Sequence, residues 1–167
     1  MNKDVKLREL EFVDLEKLNV WRNDPSLISS LGTGFSYISE EIDKRWYENY
    51  LVNRHNAVRL AIEVDTVYVG NLNLTNINLI NRSAEFSIFI GNPAYRGLGV
   101  GYIASAMIIE HGQKNLGLQR IWLTVLSSNA PAISMYEKLG FEFEGTLRKA
   151  LYKEGTHHDL IMMSLIS

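Results

Sequence analysis

The chain has 167 residues, of which 46% are apolar and 22% are charged, and its formal net charge is −2. This composition is typical of a globular protein, and the slight negative charge argues against a nucleic-acid partner, which requires a dense basic surface. The absence of cysteine excludes disulfides, thiolate metal sites and cysteine nucleophiles. The sequence has neither a membrane-spanning apolar run nor a recognisable signal peptide. We therefore expect a single cytoplasmic domain over residues 1–167, with no membrane partner.

The first half of the chain predicts four strands and two helices. Alternating apolar residues indicate the strands, and the helix-capping residues Asp14 and Ser39 precede stretches with apolar residues at helical spacing. Residues 26–38 are predicted to form a loop between the two helices. Short turns separate the later strands, which indicates an antiparallel meander. The predicted elements are a strand at 5–10, a helix at 14–24, a helix from Ser39, and strands at 58–64, 67–75 and 84–90.

The second half predicts two more helices and three more strands. A helix runs from the glycine-rich turn at 96–101 to about Asn115, and a strand at 120–126 follows it. Because a helical crossover joins this strand to the strand at 84–90, the two should be parallel. A helix then begins near Asn129 and ends at Gly140, before a closing hairpin. The predicted fold class is α/β, with one mixed sheet.

The turn before the third helix has the sequence Arg-Gly-Leu-Gly-Val-Gly, from Arg96 to Gly101. Backbone N–H groups at a helix N-terminus have no intrahelical acceptor and lie at the positive end of the helix dipole, so this turn predicts an anion site, usually for phosphate. Spacing excludes a Rossmann turn, because Tyr102 occupies the position of its last glycine, and no Gly-Lys-Ser/Thr indicates a P-loop. The alternative is that the glycines only allow a tight turn between the strand and the helix.

The arrangement Arg-x-x-Gly-x-Gly strongly resembles the pyrophosphate-binding motif of the GNAT N-acetyltransferases, which bind acetyl-CoA. The segment from Asn129 to Phe141 is similar to a second pattern of that family, N-x-x-A-x-x-x-Y-x-x-x-G-F, at every defined position. The predicted order of elements is also that of the GNAT fold. The resemblance implies a mostly antiparallel central sheet of about seven strands, flanked by about four helices, in which parallel strands 4 and 5 splay apart.

The resemblance also implies how acetyl-CoA, the co-substrate, is bound. Backbone groups of strand 4 would pair with the pantetheine arm, and amides of the glycine turn would hold the pyrophosphate, with an arginine at the edge of the turn. A helix N-cap is the alternative role for Asn129. The predicted cofactor-binding residues are Phe89, Ile90, Arg96, Gly97, Leu98, Gly99, Val100, Gly101 and Asn129.

Two residues are candidates for proton transfer. An amine with a pKa near 10.4 must lose a proton before it can attack, which costs about 4.6 kcal/mol at pH 7. Glu85 alternates away from its apolar neighbours in the strand, so we expect it to be the general base, directly or through one water. Its alternative role is that of a solvated or paired sheet residue. Tyr136 is the expected general acid for the departing thiolate, and the alternative is a core tyrosine.

The acceptor amine is less constrained by the sequence. Shorter segments at 21–24, 81–86 and 144–149 are similar to a GNAT branch that contains ribosomal-protein N-terminal, spermidine and amino-sugar acetyltransferases. We expect the first two helices and their loop to form the acceptor pocket. There the acidic residues Glu40, Glu41 and Asp43 favour a cationic polyamine, unless they form a solvated helix face.

The expected acceptor is therefore a small-molecule primary amine, either a polyamine or an amino sugar. The alternatives are the N-terminus of a protein and a non-catalytic module that only binds acyl-CoA. We expect no metal site, because adjacent His157 and His158 would face opposite ways in a strand and have no evident third ligand. A homodimer is compatible with the sequence but has no specific support in it.

Overall fold

The structure, a computed structural model, describes residues 4–167 and contains one seven-stranded sheet. In chain order the strands are β1 Val5–Glu9, β2 Val58–Val64, β3 Val67–Asn78, β4 Ser83–Ile90, β5 Arg120–Leu126, β6 Glu142–Lys153 and β7 Thr156–Ile166. Their spatial order is β1-β2-β3-β4-β5-β7-β6, and all neighbours are antiparallel except β4 and β5. This confirms the predicted mixed sheet.

Five helices accompany the sheet, one more than the sequence predicted. They are α1 Leu15–Arg22, α2 Pro25–Ser29, α3 Glu40–Val52, α4 Val100–Lys114 and α5 Ala130–Lys138. The additional helix, α2, occupies the start of the segment predicted to be a loop. Asp24 caps it by accepting a hydrogen bond from the Ser26 amide, and proline stands in its first turn, where no amide hydrogen is needed.

The sheet separates two apolar cores. On one face, α4 and α5 pack over the central strands, and Phe86 and Ile108 are fully or almost fully buried there. On the other face, α1 and α3 cover a smaller core that includes Leu18 and Tyr47. Because side chains alternate along a strand, Phe86 enters the first core while its neighbour Glu85 lies on the opposite face. The face under α1 and α3 therefore carries the polar residues of the central strands.

Parallel strands β4 and β5 are hydrogen-bonded only at their beginning. Three residue pairs join them, from Ser83 with Arg120 to Glu85 with Trp122. Beyond these pairs the strands diverge, while β5 stays paired with β7 along its whole length. This confirms the predicted splayed strands and leaves a gap in the middle of the sheet.

Within residues 4–167, no helix is long and apolar enough to cross a membrane. The single-domain assignment of residues 1–167 stays a prediction, and its first three residues lie outside the described part of the chain.

An ion pair at the end of the sheet joins β5 to β6 across β7. Arg120 donates two hydrogen bonds to the Glu144 carboxylate, and the Ser164 hydroxyl donates a third. The hydrogen bonds from Arg120, and then that from Ser164, lower the pKa of Glu144 to about 2. Because the folded pKa lies below the ordinary value of 4.5, the contact stabilises the fold above about pH 4.5 and is lost as the pH falls towards 2.

We expect Glu144→Gln to lower the free energy of unfolding at neutral pH by about 0.5–1 kcal/mol, because the pair is partly exposed to solvent. The difference from the parent chain should disappear near pH 2. Urea unfolding at both pH values measures it, with Glu142→Gln as the control, since exposed Glu142 has no ion pair within residues 4–167. A difference that persists at low pH would contradict this account.

Candidate active site

A cavity of about 520 Å³ lies between α1, α3 and the polar face of the sheet. As predicted, the first helices and the loop after α2 form one wall. The opposite wall consists of β3 and β4, with Asn129 and Tyr136 at one side. Of the predicted site residues, the structure brings together on this cavity Glu85, Phe89, Asn129 and Tyr136. Ile90 and the turn at 96–101 lie outside its lining.

Glu85 is held by a residue that sequence analysis missed. The half-buried Glu85 accepts a hydrogen bond of 2.8 Å from the Asn76 side-chain amide. Asn76 lies where the register of β3 and β4 shifts, and its φ of 51° is left-handed, a conformation that asparagine tolerates. The irregularity turns the amide towards Glu85 and fixes the carboxylate at the cavity. The asparagines at 76, 78 and 81 indicate a turn in the sequence but do not predict this contact.

Tyr136 combines a buried ring with an available hydroxyl group. The ring packs edge-to-face against Phe86, with 6.2 Å between the ring centroids. No hydrogen bond joins its hydroxyl to another of the residues in 4–167. Burial raises the pKa of Tyr136 to about 12, so the hydroxyl is protonated at neutral pH and can donate a hydrogen bond or a proton.

The glycine turn has the backbone geometry of an anion site. Gly97 and Gly99 have φ values of 70° and 79°, in the left-handed region that favours glycine. The first hydrogen bond of α4 runs from the Ile103 amide to the Gly99 carbonyl. Within the described chain, the amides from Leu98 through Gly101 have no acceptor. These donors at a helix N-terminus fit a pyrophosphate group.

Arg96 anchors the glycine turn to the end of β4. Its guanidinium donates hydrogen bonds of 2.8 Å to the carbonyls of Ile90 and Gly91. Any side chain at Gly91 would overlap the ring of Trp21, so glycine allows α1 to pack directly against this backbone. Arg96 is itself exposed to solvent and positions the turn through these two hydrogen bonds, and its predicted contact with the cofactor stays a prediction.

The loop after α2 is held by two residues that are distant in sequence. Asn129 caps α5 by accepting from the Ala132 amide, and its own amide donates to the Ser30 carbonyl at 2.9 Å. The buried ammonium of Lys153 donates to three carbonyls of residues 28–31. The loop thus forms a fixed cavity wall. Sequence analysis missed Lys153, because a lysine in the closing hairpin belongs to no motif.

The acidic residues of α3 do not present a negative surface to the cavity. Asp43 is fully buried and accepts hydrogen bonds from Arg22 and Asn19. Glu40 and Glu41 lie on the exposed face of the helix, where each pairs with a basic residue one turn later. None of the three side chains lines the cavity, and the exposed, paired positions of Glu40 and Glu41 agree with the alternative of a solvated helix face. In residues 4–167, no group of three or more His, Asp or Glu could hold a metal ion.

Comparison with known proteins agrees with this geometry. Residues 4–142 match the model of the acetyltransferase (GNAT) domain family. Spermidine N(1)-acetyltransferase of Escherichia coli (strain K12) is 31% identical over 165 residues, which cover 96% of this chain and 85% of the relative. The L-amino acid N-acetyltransferase AaaT of the same strain is 33% identical over 126 residues, which cover 74% of this chain and 76% of the relative.

A solved structure shows the same architecture. Spermidine N-acetyltransferase from Vibrio cholerae, in complex with CoA and spermine, superposes with a TM-score of 0.91 and 28% identity, over 97% of this chain and 95% of that chain. The splayed strands and the free amides of the glycine turn fit the CoA that this relative binds. The chain therefore belongs to the GNAT acetyltransferase family and is an N-acetyltransferase that uses acetyl-CoA.

Proposed function

We propose that this enzyme acetylates the primary amine of a small molecule bound in the cavity beside Glu85. The main support for the proposal is the cavity, which is lined by both Glu85 and Tyr136. Its volume of about 520 Å³ suits a small molecule. Relatives named for spermidine and for an L-amino acid support a small acceptor. Polyamines and amino sugars are the acceptor classes to be tested. The homodimer and the cytoplasmic location stay predictions.

The gap between β4 and β5 supports a binding place for the cofactor. Beyond Glu85, one edge of β4 has no partner strand, so the backbone of Phe89 and Ile90 is available to the pantetheine arm. The amides from Leu98 through Gly101 would hold the pyrophosphate. When bound, acetyl-CoA supplies the acetyl group as an activated thioester.

The two cavity residues supply the proton transfers. Glu85, held by Asn76, accepts a proton from the ammonium group of the acceptor, directly or through one water. The free amine forms the new bond to the acetyl carbon, its nitrogen releases a second proton to solvent, and the bond from that carbon to sulfur breaks. Glu85 then also returns its proton to solvent. Tyr136 donates its proton to the departing sulfur and recovers one from solvent. The products are the N-acetylated amine and the free CoA thiol.

We expect Glu85→Gln and Tyr136→Phe each to lower kcat by about 10²–10³-fold, because each removes one proton-transfer group. The dissociation constant for CoA should stay within about threefold, since neither side chain belongs to the glycine turn. Thiol release from acetyl-CoA with spermidine, glucosamine, amino acids and N-terminal peptides measures turnover. Glu110→Gln, on the exposed face of α4, is the matched control. An unchanged kcat in either variant would show that the substituted residue does not transfer a proton in the reaction.

We expect Gly99→Ala to weaken CoA binding by about tenfold, because alanine at a left-handed φ costs about 1–2 kcal/mol and distorts the turn. A side chain there would meet no atom within 4 Å, so the effect would come from the backbone alone. The matched control is Gly117→Ala, at an equally open left-handed position away from the turn. Calorimetric titration with CoA compares them, and equal affinities would contradict pyrophosphate binding at this turn.

A further inference from the structure

Two guanidinium groups line the cavity on the side of α1 and α3. Arg22 comes from α1, and Arg59 comes from β2. Both lie over the ring of Trp46, at 5.5 Å and 4.9 Å from its centroid, and Arg59 is also 5.7 Å from the centroid of Tyr50. The Trp46 ring thus contacts two cations that both line the cavity.

The two arginines differ in how their charge is compensated. Arg22 forms a salt bridge with buried Asp43, whereas Arg59 has no ion pair within residues 4–167. The Nε atom of Arg59 is buried without an acceptor, and its Nη1 makes only a 3.5 Å contact with the Asn73 side chain. Burial, and then repulsion by Arg22, lower the pKa of Arg59. The half-buried guanidinium of Arg59 therefore lacks acceptors in the described part of the chain, and a bound anion would supply them.

Arg59 lies across the sheet from the catalytic strand. Arg59 is in register with Asn73, and Asn73 is in register with Ser87, to which its amide donates at 3.1 Å. Two strand spacings, about 10 Å, separate the backbones of β2 and β4. Glu85 lies two residues from Ser87 and, among residues 4–167, is the only carboxylate that lines the cavity. The cavity thus has a base at one end, a cation at the other and polar groups between them.

We propose that the acceptor carries an anionic group, a phosphate or a carboxylate, at the end remote from its primary amine, and that Arg59 binds this group with Arg22 beside it. The inference rests on the proposed function, because it concerns the acceptor of the same reaction. An arginine fork binds either oxyanion with two parallel hydrogen bonds. A polyamine would instead bring a second ammonium group against Arg59. A phosphorylated amino sugar would present its amine to Glu85 and its phosphate to Arg59.

Matched pairs of amines test this inference on the unmodified enzyme. Glucosamine 6-phosphate against glucosamine isolates the effect of a phosphate, and 6-aminohexanoate against hexylamine isolates that of a carboxylate. Thiol release with acetyl-CoA is measured for all four and for spermidine. We expect kcat/KM to be at least about tenfold higher for the charged member of one pair, which also identifies the anion. We expect spermidine to be the poorer substrate.

The variant Arg59→Gln tests the residue itself. It should reduce the preference for the anionic amine over its neutral partner by about tenfold, mainly through a higher KM for the anionic amine. Arg45→Gln, on the exposed side of α3, is the charge-matched control and should keep the preference. Thermal melting checks that each variant folds, and the comparison of amine pairs needs no variant at all.

The outcomes separate the two proposals. Turnover of spermidine or neutral amines with no preference for an anionic partner would overturn the inference and leave the proposed function intact. An anionic preference that survives in folded Arg59→Gln would also overturn it. Absence of turnover with every amine, despite binding of acetyl-CoA, would overturn both.

Discussion

The divergence of β4 from β5 after three residue pairs is the constraint on which the site depends. Each strand stays paired on its other side, β5 with β7 along its whole length and β4 with β3 except at the irregularity near Ala84, so the sheet opens while its outer pairing is kept. The opening leaves one edge of β4 with backbone groups that need a partner. The same divergence leads β4 into the glycine turn, whose amides are also without acceptors. One break in pairing thus supplies both parts of the surface that we propose binds CoA.

The second face of the sheet carries the cavity in which we propose that the acceptor amine binds. Because side chains alternate along β4, Phe86 packs into the main core while Glu85 lies on the opposite face and lines the cavity. The closing hairpin contributes from a distance, because Lys153 fixes the loop that forms a cavity wall. Arg59 and Arg22 define the end remote from Glu85. Shape and charge of the acceptor pocket therefore depend on segments from both ends of the chain.

Most of the fold was predictable because its signals are local. The alternation of β4, the turn at 96–101 and the capped start of α5 each lie within a few consecutive residues. The five-residue helix α2 was missed, because it is too short to show helical periodicity. The position of Asn76 depends on an irregularity between two strands, which has no clear sequence signal.

The acceptor site was harder to predict, because charge in a sequence carries no information about partners. Asp43 was counted with an acidic surface, yet it is buried and paired with Arg22. Arg59 belongs to no motif in the sequence. Only the structure shows that it lines the cavity beside Trp46 and Asn73. Long-range packing decides which charged side chains face a ligand. The number of acids and bases in a segment therefore does not predict the charge of the cavity that the segment lines.

The splayed strands and the glycine turn together predict that acetyl-CoA lies in the gap between β4 and β5, with its pyrophosphate on the glycine turn. Amide hydrogen exchange with and without CoA tests this most directly, because it reports on backbone groups themselves. We expect CoA to slow exchange at residues 86–90 and 98–101 and to leave β1 unchanged. Unchanged exchange in both segments, at a CoA concentration that saturates binding, would contradict the account.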